Sequence, residues 1–226
     1  TLPTTSGRKW KRSKNLSWRN WESAGEIFLY IIGLTGGISC GKSSVAESLR
    51  RYCRAVTLDI DVVTHWLSEP GGELFNIYVR HFGEKILTDN GFLNKKLIGE
   101  IIFNNPAERK WINSVAHPLL LNHARQFLVE SCEAGAGLVV LEVPLLFEAG
   151  WEHLFDEIWA VYTKRQLQIK RLMSRDKLTK EEALARINAQ MSREERCARA
   201  DVVIRNVKGY HDVRKQIRAA LKGRIF

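Results

Sequence analysis

Residues 27–44 read IFLYIIGLTGGISCGKSS, and the fold turns on this stretch. Residues 27–34 are apolar and aromatic, with the length and composition of a buried strand. Gly36, Gly37, Ile38, Ser39, Cys40, Gly41, Lys42 and Ser43 then match G-x-x-x-x-G-K-[ST] at every fixed position. From Ser44 to Tyr52, the spacing of Val45, Leu49 and Tyr52 predicts a helix. Strand, glycine-rich loop and helix together argue against an incidental turn. The glycines let the backbone curl so that successive N–H groups face one anion. The helix aims its N-terminus, with its partial positive charge, at the same anion. In such a loop Lys42 reaches the β- and γ-phosphates of a nucleotide, and the Ser43 hydroxyl ligates Mg²⁺.

The 226-residue chain is long enough for one domain with inserted lobes, and its 45% apolar and 27% charged composition is ordinary for a globular protein. No run approaches the ~20 apolar residues that span a bilayer. Four scattered cysteines, without a C-x-x-C, support neither a zinc site nor a dithiol redox motif. Free thiols in a reducing, cytoplasmic setting are the expectation. Cys40 inside the loop reads as a small residue where a large one would not fit. The net charge of +10 suits a nucleic-acid binder or a polyphosphate pocket, and the placement of the charges favours the pocket.

Residues 1–26 hold six basic residues against two acids and lack apolar periodicity, which predicts a flexible extension outside the fold. Their composition also fits a mitochondrial or other organelle transit segment. Residues 54–59 read as a second strand running into Asp59-Ile60-Asp61, carboxylates at a strand end where α/β sheets bind ligands. Either aspartate could instead cap the helix over 62–67. Helices are predicted over 74–82, 93–103 and 106–115, and from 119 to 132 beyond His117-Pro118. So much helix between two strands suits a substrate-binding lobe. Strands are predicted over 138–143, 157–162 and 200–205, and a closing helix over 210–221. After the fourth strand, Arg171 and Arg175 share a helical face, and Thr179 with Glu182 forms a capping box for a helix over 180–191. Arginines presented in this way suit a lid over a triphosphate.

Taken in order, GLTGGISCGKSS at 33–44, DID at 59–61, EPG at 69–71, HP at 117–118, PLLFE at 144–148, QIKRLMSRD at 168–176 and RINAQ at 186–190 resemble the dephospho-coenzyme A kinases. So does AD.VI.N over 200–206. The likeness covers about residues 31–221, and the central DNGFLNKKLIGEIIFNNPAER looks closer to the eukaryotic form. The resemblance implies an α/β P-loop fold with a five-stranded parallel sheet. It implies a domain over 27–226 with a CoA-binding lobe at about 70–133 and a lid at about 164–191. It implies transfer of the ATP γ-phosphate to the ribose 3′-hydroxyl of dephospho-CoA, with Mg²⁺.

On the same basis, the loop from Gly36 through Ser44 would bind ATP, and Ser43 the metal. Asp61 would be the base, with Asp59 in support. His65 and His117 would serve the acceptor, and Arg171 and Arg175 the transferring group, beside Lys42. Asn206 would lie near the adenine. Glu142 stands where the family usually has Asp, which weakens any metal role for it, and Val207-Lys208 follow Asn206 where glycine is common. Another small-molecule P-loop kinase and a non-catalytic ATP- or CoA-binding scaffold are the alternatives. The expected partners are dephospho-CoA and ATP, without nucleic acid.

Overall fold

The structure, a computed structural model, describes residues 29–222, so the extension expected over 1–26 lies outside the described residues. Five strands form one parallel sheet: β1 (Tyr30–Gly36), β2 (Val56–Asp59), β3 (Leu138–Glu142), β4 (Glu157–Tyr162) and β5 (Val202–Arg205), in the order β2-β3-β1-β4-β5. β1 lies at the centre, paired with β3 through Ile32↔Val140 and with β4 through Leu34↔Trp159. It is buried throughout, which is why it reads as a continuous apolar run rather than an alternating one.

Successive β1 side chains enter different cores. Tyr30, Ile32 and Leu34 join Val45 and Leu49 of α1 (Lys42–Cys53) and Val213 and Ile217 of α9 (Tyr210–Ala220). Ile31 faces the larger cluster, built with α2 (Ile60–Leu67), α3 (Glu73–Phe82) and α5 (Pro106–Glu133). α4 (Lys95–Asn104) precedes α5. A third, small cluster of Leu172, Ala183 and Ile187 joins α6 (Arg165–Asp176) to α7 (Lys180–Asn188).

Two sequence expectations are corrected. The helices expected over 106–115 and from 119 are one helix, α5, which runs through Pro118. A proline inside a helix costs about 3 kcal/mol. However, Ala116, Leu120, Ala124, Leu128 and Cys132 form a buried stripe repeating every four residues, while Pro118 is exposed. Burial of that stripe carries the helix across the break. The helix expected over 180–191 stops at Asn188, and a further helix, α8 (Arg193–Arg199), follows. The Ser192 hydroxyl accepts the Glu195 N–H at 3.1 Å and caps α8.

Gly33 sits at the middle of β1, where a Cβ would stand 2.6 Å from Phe155 and 2.8 Å from Leu146. Both side chains are buried. Gly33→Ala is expected to overpack this face and lower stability by about 1–3 kcal/mol, read from urea unfolding.

Candidate active site

The loop after β1 is shaped by where its carbonyls go. Lys42 Nζ donates to the Gly36 carbonyl at 3.1 Å. Gln168 Nε2 donates to the Ile38 carbonyl at 2.7 Å. The Cys40 carbonyl accepts from Asn206 Nδ2 at 3.1 Å and lies 3.5 Å from an Arg171 guanidinium nitrogen. With these oxygens held by Lys42 itself and by donors from other elements, α1 begins at Lys42 with no acidic residue in its first turn. Its first amides have no intrahelical acceptor. Gly41 makes the last turn into the helix at φ 92°, and a Cβ there would stand 2.0 Å from Asn206 Nδ2, so glycine is required. Asn206 is itself buried, and its backbone carbonyl accepts from Thr163 Oγ1 at 2.8 Å. It braces the loop from beneath. Cys40 is buried and its thiol pKa is pushed up by burial, which disfavours thiolate chemistry there.

An acidic wall borders the same cleft. The β2–β3 register places Asp59 beside Glu142. Asp59 caps α2, its carboxylate accepting the Asp61 N–H at 2.9 Å. The cap thus belongs to Asp59, and Asp61 stands in the first turn of α2 facing the cleft. That cleft, of about 670 Å³, brings Lys42, Ser43, Asp59 and Asp61 together with Arg171 and Arg175 of α6. Asp61 has its pKa raised, first by desolvation and then by Asp59, with Lys42 and Arg175 opposing. Glu142 is buried, and its pKa is pushed up to about 7 by burial and by Asp59, although a Ser43 hydrogen bond and Lys42 pull it down. Its Oε2 is buried without a hydrogen-bond partner.

Of the two α6 arginines, Arg175 is held by a neighbouring carboxylate. Arg175 makes two hydrogen bonds to Asp176, at 2.6 and 3.1 Å, and Arg186 makes a third at 3.0 Å. The Arg175 guanidinium accordingly holds the Asp176 carboxyl below the usual range. The Thr179–Glu182 capping box forms as expected.

His65 and His117 do not line this cleft. His65 is exposed, with Nδ1 3.0 Å from Lys95 Nζ and Nε2 3.2 Å from Glu69. His117 is half-buried on α5, and burial lowers its pKa. Three residues outside the predicted set also meet the loop. Gln168 and Gln190 bond Ile38, and the buried Arg196 places a guanidinium nitrogen 3.5 Å from where a Gly37 Cβ would be. The α8 that carries Arg196 was signalled by Ser192 three residues before Glu195, a capping pattern.

The family model described as dephospho-CoA kinase matches residues 30–212. A dephospho-CoA kinase of Carboxydothermus hydrogenoformans is 40% identical over 196 residues, covering 87% of this chain and 95% of its own. A crystal structure from Thermus thermophilus superposes with a TM-score of 0.73 at 31% identity, covering 88% of this chain and all of that one. The dephospho-CoA kinase structure from Campylobacter jejuni gives a TM-score of 0.60 at 28% identity, over 86% of this chain and 96% of that one. With the phosphate loop, the acidic wall and the arginine-bearing helix in one cleft, and a family match over most of its length, this chain belongs to the dephospho-CoA kinase family.

Proposed function

We propose that the cleft between the phosphate loop and α6 is where the γ-phosphoryl group of ATP passes to the ribose 3′-hydroxyl of dephospho-CoA. The observation that carries this reading is that Asp61 lines one cleft with Lys42, Ser43, Arg171 and Arg175. Lys42 and the first amides of α1 hold the triphosphate. Asp61 takes the 3′-hydroxyl proton as the O3′–Pγ bond forms and the bond from Pγ to the β-phosphate oxygen breaks, releasing ADP. Its raised pKa suits a base better than an ordinary carboxylate would. Arg171 and Arg175 meet the charge that spreads over the transferring group. Arg175 leaves Asp176 to do so, and Asp176 with Arg186 is its resting partner.

Kinases of this family use ATP with Mg²⁺. Among the described residues no group of three or more His, Cys, Asp or Glu side chains forms a metal cage. Mg²⁺ does not need one, since it binds one or two protein oxygens and keeps water and phosphate oxygens. The residues present fit it: the Ser43 hydroxyl and the orphaned Oε2 of the neighbouring Glu142 are hard oxygen donors. When bound, the ion would neutralise charge on the β- and γ-phosphates. Glu142, with one more methylene than Asp, reaches the Ser43 hydroxyl.

The helical segment of about 70–133 is assigned to the acceptor as its CoA-binding lobe, and 164–191 to the lid. His65 sits on the acceptor side beside Lys95, suited to a substrate phosphate, and His117 shapes the lobe from α5. Asn206 serves ATP through the loop that it braces. A cytoplasmic setting fits the four free cysteines, and no helix among the described residues is long and apolar enough to cross a membrane.

Lys42→Ala and Asp61→Asn are each expected to lower kcat by about 10²-fold or more with the fold intact, followed as ADP release with dephospho-CoA as acceptor and AMP as control. Wild-type turnover in Asp61→Asn would remove Asp61 as the base. Arg175→Ala should lower kcat by about 10²-fold with a smaller change in ATP affinity; loss of affinity alone would make it a ground-state ligand. Glu142 binds its proton more tightly folded than unfolded. Its contribution to stability therefore falls as pH rises from its ordinary 4.5 toward about 7. Without nucleotide or divalent cation, Glu142→Gln should flatten that decline, and parallel urea stabilities of the two proteins across this window would refute it.

A further inference from the structure

We propose that Gln168 and Gln190 are positioning residues that index the phosphate loop to the α6–α7 pair by gripping both peptide groups of Ile38. The Ile38 N–H donates to Gln190 Oε1 at 2.8 Å, and the Ile38 carbonyl accepts from Gln168 Nε2 at 2.7 Å. A backbone N–H can only donate and a carbonyl only accept, so both side-chain amides have one possible orientation. The glutamines come from the two roots of the helical pair. Gln168 lies in the first turn of α6, and Gln190 lies two residues beyond the end of α7.

Two further observations point the same way. The Ile38 side chain packs against the Leu172, Ala183 and Ile187 cluster inside the pair, so this one loop residue is embedded by backbone and side chain alike. Gly37 leaves room for this approach: a Cβ there would stand 2.9 Å from Gln168 Nε2 and would push that amide aside.

The consequence is chemical. Gln190 removes the Ile38 N–H from the donors open to a phosphate, and Gln168 turns the Ile38 carbonyl away from it. The anion therefore meets a fixed set of amides. Because α6 also carries Arg171 and Arg175, the same two bonds set the distance from loop to arginines. An error of about 1 Å there can cost about 10²-fold in rate. Neither glutamine needs to touch substrate for this.

The test uses the full chain with Gln168→Met, Gln190→Met and the double variant, since methionine keeps length and removes the hydrogen bond. Each single variant should lose about 10-fold in kcat, the effect of one broken bond that leaves a peptide group unpaired, with far-UV circular dichroism unchanged. The double variant should lose little more than the worse single, because both bonds act on one residue. Full activity in both singles, or losses that multiply in the double, would overturn the proposal.

The effect on turnover rests on the reading of the cleft given above, so a second arm does not use activity. Hydrogen exchange of the Ile38 amide in the nucleotide-free protein should quicken in Gln190→Met and stay slow in Gln190→Glu, which keeps an acceptor oxygen. Equal exchange in wild type and Gln190→Met would overturn the proposal whatever the acceptor substrate proves to be.

Discussion

Backbone amides can hold a polyphosphate only if the neighbouring carbonyls point elsewhere, because each peptide group brings both ends of its dipole. In this chain the turning-away is done by Lys42 at the start of α1 and by side chains from distant elements. Lys42 takes the Gly36 carbonyl, Gln168 that of Ile38, and Asn206 that of Cys40. The loop is therefore a product of α1, α6 and the end of β5 as much as of its own glycines. Those elements hold their places because β1, buried on both faces, is pinned between β3 and β4. The fold's central strand and its anion site are one construction.

The acidic wall shows the complementary constraint. Glu142, Asp59 and Asp61 stand together at the carboxyl ends of β2 and β3, and their crowding and desolvation raise the pKa of the buried Glu142 and of Asp61. In an unliganded protein this is destabilising, and Lys42 only partly relieves it. A proton, or ligand cations bound in the cleft, would offset the repulsion. The site is thus poised for ligand charge rather than for maximal stability of the empty chain.

Much of the fold was legible because its signals are local. The apolar run of β1, the G-x-x-x-x-G-K-[ST] spacing and the Thr179 capping box each specify a conformation within a few residues. Pro118 misled because a local rule, that proline ends a helix, met a stripe of buried side chains extending a dozen residues beyond it. The turn at 189–192 carries one local signal, the Ser192–Glu195 capping pattern, against an otherwise helical stretch. Its residues fit a helix, and only the Ser192 cap and the reach of Gln190 to Ile38 show why α7 ends at Asn188. The Asp59 and Asp61 pair was visible as chemistry, but its division of labour was not, since either could cap α2 until the Asp59 carboxylate was seen on the Asp61 amide.

The sequence by itself determined the class of chemistry. A phosphate loop, paired aspartates after the second strand and arginines four apart after the fourth are residue types suited to a nucleoside triphosphate, and the ordered motifs resemble one kinase family. Tertiary structure alone decided which groups surround the loop. Gln168, Gln190, Arg196 and Asn206 lie well over a hundred residues from the loop peptides they approach, and no local periodicity encodes such a meeting. It follows from sheet order and helix packing, which bring remote side chains to one loop because the buried strands leave them nowhere else to lie.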